Sequence, residues 1–215
     1  MLVLRSSPAS PFGRKAKLAA TILGLKDQIT VEATNTASPE DSIRQQNPLG
    51  KIPALILEDG SALYDSRVIV EYLDHMAGGA KIFPTGAARF RVLTMQALAD
   101  GMMDAGISQV YESRFRPKEF RFKDWTDYQS AKVSRALNML EATPPANLKT
   151  QDDADAGSIA LACALGYLDL RFGGEWRANY PKLVAWLDTF EAAVPSYAAT
   201  RVDPAPIPDK ESPLR

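Results

Sequence analysis

The stretch from Asn47 to Leu73, NPLGKIPALILEDGSALYDSRVIVEYL, decides the fold. It reads as a loop, a buried strand, a tight turn, a second strand and a helix, with Ile52-Pro53 opening the first strand and Asp65-Ser66 opening the helix. A proline at the first strand residue gives no ladder hydrogen bond, and an X-Pro bond turns cis for only ~0.5–1 kcal/mol. The strand edge at Ile52 is then left unpaired, its N–H and C=O facing outward for an extended, peptide-like ligand running antiparallel to it. Behind Asp65-Ser66, residues Val68, Ile69, Tyr72 and Leu73 form an apolar stripe at helical spacing. The start of that helix carries free N–H groups and partial positive charge, so a carboxylate can dock there with the Ser66 hydroxyl as a further donor. Asp65 can hold an adjacent ammonium. Taken singly, Asp65 is an ordinary N-cap and Pro53 an ordinary edge-strand proline. Together they bring two backbone edges and one helix start to the same end of a small sheet, a site suited to a small anion with peptide character.

Working outward, Leu2 to Arg5 reads as a short strand and residues 11 to 24 as a helix begun by Pro11, with Ser10 as its N-cap. Gln28 to Thr34 resembles a second strand and residues 39 to 46 a short helix, which completes the order β-α-β-α-β-β-α and predicts a compact mixed sheet with helices on its faces. This α/β domain covers residues 1–77. The glycines and proline of AGGAKIFPTG mark a linker over residues 78–86. Helical segments at 87–116, 125–142, 155–172 and 181–193 then build an all-α C-terminal domain over residues 87–200, and residues 201–215, with four prolines in DPAPIPDKESPLR, read as a tail.

Composition narrows the function. The chain has 215 residues, 46% hydrophobic and 24% charged, as an ordinary soluble globular protein does. A formal net charge of -1 without long Lys/Arg runs argues against nucleic acid as a partner. No apolar stretch approaches the ~18 residues of a spanning helix, and Met1 to Leu4 is too short for a signal-peptide core, so the expectation is a cytoplasmic protein without a membrane partner. One cysteine excludes a disulfide within the chain, and one histidine excludes most zinc sites, so no metal is expected. Cys163 sits with Ile159, Ala162, Gly166, Tyr167 and Leu170 on one face of a helix and reads as a core filler. His75, at a helix end, can meet the C-terminal dipole and has no visible catalytic partner.

A small β-α-β-α-β-β-α domain, a linker and a helical domain form the layout of the cytosolic glutathione transferases, and the chain resembles that family over nearly its whole length. Asn47-Pro48-Leu49-Gly50-Lys51-Ile52-Pro53 looks like the loop into the family's cis-proline strand, and Asp65-Ser66 like its acid-serine pair for the γ-glutamyl group. Ser10-Pro11-Phe12-Gly13-Arg14-Lys15 and Ala99-Asp100-Gly101-Met102-Met103-Asp104-Ala105 resemble motifs of the bacterial YibF-like members. The resemblance implies a thioredoxin-like first domain, glutathione as co-substrate and a homodimer. It also implies that Asp100 reaches across the dimer to the γ-glutamyl ammonium. Two departures stand out. Asp155-Ala156-Gly157-Ser158 lacks the second carboxylate of the family's capping box, an expected loss of order 1 kcal/mol. Ser10 stands where some classes have cysteine, which disfavours disulfide reduction of the glutaredoxin type.

A free thiol with a pKa near ~8.5 is mostly protonated at neutral pH, so a conjugating site must favour the thiolate. Ser10, at a helix start, can donate its hydroxyl to the sulfur while its oxygen accepts a backbone N–H as N-cap. Ser7 in the same loop is the competing donor. Lys51 can pair with the glycyl carboxylate, although a solvated surface lysine is the plainer reading. Met103, Ile107, Tyr111, Arg114 and Phe115 are possible walls for a small-molecule electrophile. The expected activity is that of a glutathione transferase. The alternatives are a glutathione-binding or protein-interaction module without conjugating activity, and a glutathione-dependent peroxidase or isomerase on the same site.

Overall fold

The computed structural model describes residues 1–202. Four strands, β1 (Leu2–Ser6), β2 (Ile29–Ala33), β3 (Ala54–Ile56) and β4 (Ala62–Leu63), form one mixed sheet in the order β2-β1-β3-β4. β1 and β2 run parallel with Leu2 beside Ile29, while β3 runs antiparallel to both β1 and β4. α1 (Pro11–Ile22) links β1 to β2, α2 (Ile43–Gln46) precedes β3, and α3 (Ser66–Met76) follows β4. The rest of the described chain is helical: α4 (Ala87–Phe115), α5 (Lys123–Ala142), α6 (Ala156–Phe172), α7 (Pro181–Ala193) and α8 (Ser196–Ala199). This is the expected thioredoxin-like sheet domain followed by an all-α domain. No helix among the described residues is long and apolar enough to cross a membrane.

The helical part is organised around α6, which is apolar on nearly every side and therefore sits at the centre. Ile159 to Leu165 are all buried, Cys163 among them. The glycines of α4 and α6 set their packing. Gly157 lies against Val92 and Met95, and Gly106 lies against Tyr167 and Phe172, so the two helices run in the same direction. α1 of the sheet domain packs on α6 as well, and Arg14 carries that contact through to α8. Its Nη2 donates to the Tyr197 carbonyl at 2.7 Å, its Nε to Thr200 Oγ1 at 3.1 Å, and its guanidinium lies 3.9 Å from the Tyr197 ring centroid.

Three expectations need correction and one lies out of reach. The helix expected over residues 39–46 is only Ile43–Gln46. Upstream, Asn35, Ser38 and Asp41 turn their side chains onto the amides of Ala37, Glu40 and Ile43, offering the backbone an alternative to helix. Asp41 is also held by Arg5 Nη2 at 2.8 Å, and the same buried arginine bonds Thr34, Ser42 and Gln46. The capping box of α6 is complete after all: Ser158 N donates to Asp155 Oδ1 at 2.7 Å and Asp155 N donates to Ser158 Oγ at 2.9 Å. A hydroxyl accepts the second bond where a carboxylate was expected, so the anticipated loss does not arise. α8 was not anticipated, being a single turn without periodicity. Of the proposed 201–215 tail, residues 203–215 lie outside the described residues.

Candidate functional site

Strand register brings three loop segments to one end of the sheet. Arg5 pairs with Ala54, so the chain leaving β1 toward Ser10 passes the chain entering β3 at Ile52-Pro53. Leu55 pairs with Leu63, which sets Tyr64-Asp65 beside Pro53-Ala54. Both the Ile52-Pro53 and Tyr64-Asp65 peptide bonds are cis. Pairing of β3 begins at Ala54, so it leaves Ile52 outside the ladder. The approach loop is fixed by Asn47, whose Nδ2 donates to the Lys51 carbonyl at 2.9 Å and whose Oδ1 accepts from Leu49 N at 3.0 Å. Lys51 itself is exposed beside this edge.

At the start of α1, Ser10 has extended backbone and its Oγ accepts from Gly13 N at 3.1 Å. The first turn of α1 lies so close to β1 that a Cβ on Gly13 would stand 2.0 Å from Ser6 Oγ and force the Ser6 side chain aside. At the start of α3, Asp65 accepts from Arg67 N at 2.9 Å and the Ser66 side chain is buried. Two helix starts therefore flank the exposed edge at Ile52.

Asp100 lies between α1 and α3. It is 1% exposed, and both its oxygens are taken within its own chain, Oδ1 by Lys15 Nζ at 2.6 Å and Oδ2 by Arg67 Nε at 2.9 Å. It holds Arg67 beside Asp65-Ser66 and neutralises Lys15, whose pKa burial lowers against the opposing pull of Asp100. One turn along α4, Asp104 is the exposed acid. Partial burial and the Asp100 carboxylate raise its pKa, while Arg67 and Lys51 pull it down, which places these groups in one neighbourhood. Lys15, Arg67 and Asp104 were not singled out from the sequence. Arg67 had a signal, a cation directly after the acid-serine pair, whereas Lys15 and Asp100 meet across 85 residues with none.

Beyond Ser10 opens a cavity of about 440 Å³. Pro8, Ala9 and Ser10 wall it on one side, and Gly166, Tyr167 and Leu170 of α6 on another, while Ser7 lies off it. Of the anticipated wall residues, Met103 belongs to the core, and Tyr111, Arg114 and Phe115 are exposed on the last turns of α4. Tyr111 and Phe115 meet edge-on with centroids 5.1 Å apart. Cys163 lines the cavity, but burial pushes its thiol up to about 11, so it stays protonated. Among the described residues no cluster of His, Cys, Asp or Glu is arranged to hold a metal.

Residues 9–76 match the model of the glutathione S-transferase N-terminal domain, and residues 123–189 that of the glutathione S-transferase C-terminal domain. The chain is 38% identical over 186 residues to the uncharacterized GST-like protein YibF of Escherichia coli K12, covering 84% of this chain and 89% of YibF. A glutathione transferase family member from Pseudomonas fluorescens Pf-5, solved with bound glutathione, superposes with a TM-score of 0.86 at 42% identity, over 95% of this chain and all (100%) of that one. The Pseudomonas protein has also been solved with bound S-(propanoic acid)-glutathione, at a TM-score of 0.82 and 42% identity over 95% of this chain and 100% of that one. With both of its domains matched in order, this chain belongs to the glutathione S-transferase family.

Proposed function

We propose that this protein is a glutathione transferase that binds glutathione across the end of the sheet and activates its thiol for attack on a small electrophile. The observation that carries the reading is the convergence of Ser10, the unpaired Ile52 edge and the Asp65-Ser66 helix start at one end of the sheet. The glutathione backbone lies along Ile52, preceding Pro53. Its γ-glutamyl carboxylate meets the start of α3 at Ser66, with Arg67 alongside. The ammonium faces Asp65 and Asp104, and Lys51 is the cation for the glycyl carboxylate. In that pose the sulfur comes to the start of α1, where the Ser10 hydroxyl donates to the thiolate and the helix end adds partial positive charge. A hydrogen bond to a charged group contributes roughly 1.5–3 kcal/mol, or about one to two pKa units. The thiolate then attacks the electrophilic carbon in the adjoining cavity, the C–S bond forming as the leaving group departs with its electron pair. That the Pseudomonas relative is solved with glutathione supports the co-substrate.

The functional unit we propose is a cytoplasmic homodimer. Phe90 and Met139, 69% and 53% exposed, rim an apolar hollow with Met95 and Leu98 on the α4–α5 face, surface that a second copy would cover. Sedimentation of the purified chain decides this, a monomer at micromolar concentration ruling it out.

The activity is tested by titrating thiolate absorbance of glutathione bound to the purified protein. A thiol pKa lowered by about one unit or more supports the transferase reading. Binding without a shift indicates a glutathione-binding module. No binding at millimolar glutathione removes the reading altogether.

A further inference from the structure

Between α4 and α5 the chain turns through a corner that is exposed throughout. Every residue from 113 to 125 faces solvent, and the segment from Arg114 to Lys123, RFRPKEFRFK, interleaves cations with aromatic rings. Phe115, Phe120, Phe122 and Trp125 are 61%, 68%, 57% and 43% exposed. Five cations, Arg114, Arg116, Lys118, Arg121 and Lys123, stand among them with two acids, Glu119 and Asp124, in a chain whose net charge is -1. Arg116 pairs with Glu112 at 3.3 Å and Lys123 with Asp127, whereas Arg114, Lys118 and Arg121 have no carboxylate partner among the described residues. The turn is tied down from within. The buried Glu112 carboxylate accepts from Phe122 N at 2.9 Å, and Arg121 donates to the Ser113 carbonyl at 3.0 Å and the Arg116 carbonyl at 3.3 Å. The rings are therefore held out in water by a braced turn. None of them lines the cavity beside Ser10. The apolar hollow at Phe90 and Met139 lies toward the other end of α4, roughly 35 Å away along the helix. Neither an electrophile in that cavity nor a second copy over that hollow covers this corner.

We propose that the α4–α5 corner docks the protein on an anionic membrane surface, as a peripheral contact that does not span the bilayer. Phenylalanine and tryptophan rings settle at the headgroup level of a bilayer, and Lys and Arg beside them meet the phosphates of anionic lipids, so rings and cations interleaved on one corner match both layers of such a surface. Shape favours lipid over a strand of nucleic acid or a peptide. A segment with every residue exposed is a protruding tip and offers no groove for an extended chain, whereas a fluid headgroup layer closes around a tip. The charge of the whole chain hides this feature because the cations are concentrated in one turn. The proposal stands independently of glutathione binding.

The test is co-sedimentation of the full chain with vesicles of phosphatidylcholine alone and of phosphatidylcholine with an equal part of phosphatidylglycerol. The anionic vesicles should bind roughly a hundredfold more tightly, the ratio for three unpaired cations at a charged surface. Trp176 and Trp186 are enclosed at 2% and 1% exposure, so brominated lipid in the anionic vesicles should quench the emission of Trp125. Arg114→Gln/Lys118→Gln should lower affinity for the anionic vesicles about tenfold or more, and Phe120→Ser should weaken binding too. Both variants change exposed side chains and should keep the urea midpoint of the unsubstituted protein. A ratio below about tenfold, binding without Trp125 quenching, or affinity preserved in the double variant overturns the proposal. Retention on DNA or heparin at the same salt without binding to either vesicle assigns the corner to a soluble polyanion and overturns it as well.

Discussion

Replacing Asp100 by alanine should destabilise this protein more than any change at its surface. Lys15 is fully enclosed, with 0% exposure, and its ammonium has Asp100 as its hydrogen-bonding partner at 2.6 Å. Removing the carboxylate leaves a buried charge uncompensated, a loss of about 3–5 kcal/mol. That is a large part of the roughly 5–15 kcal/mol by which a domain is stable. The Arg67 partnership adds little, because the Arg67 side chain is 53% exposed and regains water. The loss should also depend on pH. Burial already lowers the Lys15 pKa below that of an ordinary lysine while Asp100 opposes the shift, so without Asp100 the folded-state pKa falls further. Between a lowered folded pKa and the unfolded value the unfolded chain binds more protons, so stability rises with pH across that window. The deficit of Asp100→Ala should therefore be greatest near neutral pH and shrink on the alkaline side. Urea unfolding by linear extrapolation, run for both proteins across that range, measures it. A deficit under about 1 kcal/mol at neutral pH would refute the reasoning. So would a double variant Lys15→Met/Asp100→Leu no more stable than Asp100→Ala, since an apolar pair of similar volume should recover most of the loss.

Ser10→Ala should raise the thiol pKa of bound glutathione by about one to two units with little change in affinity, and an unaltered thiolate titration would remove Ser10 from the mechanism. Gly13→Ala, whose Cβ would sit 2.0 Å from Ser6 Oγ, should cost about 1–3 kcal/mol in urea unfolding and weaken glutathione binding by displacing the start of α1. Asp104→Asn should weaken glutathione binding above the raised Asp104 pKa and leave it unchanged well below, where the native acid is also neutral; a pH-independent effect in calorimetry would argue against an ammonium contact. Cys163, enclosed and with its thiol pushed up to about 11, should react with a thiol reagent only as the protein unfolds, and labelling of the native protein as fast as of a free thiol would contradict its burial.

What was legible in the chain was local or periodic. Pro53 and Asp65 mark an element start by their own backbone chemistry, and once β3 and β4 pair antiparallel, Leu55 beside Leu63 carries both starts to one end of the sheet. The long helices follow from apolar spacing, and α7 begins at Pro181 as the sequence reading had it. The misses share a different origin. Arg5 inside a strand reads as a surface residue, yet it is buried and gathers Thr34, Asp41, Ser42 and Gln46, and this hub occupies the segment where a longer α2 was expected. Arg14 meets Tyr197 across 183 residues, and nothing in either neighbourhood announces the other. The Asp155 box was misread because a hydroxyl at Ser158 accepts the bond as well as a carboxylate would. Each is a pairing of polar groups brought together by the fold, which no window of sequence contains.

The contrast between Asp100 and Asp104 shows how much of the candidate site depends on such pairings. The two acids stand one turn apart on α4 and are chemically identical, so helical periodicity puts both toward the sheet domain. Burial then separates them. Asp100 sits where Lys15 of α1 and Arg67 of α3 close over it, joining the helix that begins at Ser10 to the helix that begins at Asp65. Asp104 stays at the surface, its carboxyl raised by partial desolvation and by the neighbouring Asp100 carboxylate. In the proposed pose the ligand ammonium meets Asp104, and Asp100 acts on the ligand through the place it gives Arg67. In that pose, substitution at Asp100 would disturb both helix starts at once without removing a group that contacts the ligand. An effect on glutathione binding at that position is thus evidence of positioning, and it is told apart from contact by the accompanying loss of stability that Asp104→Asn should not show.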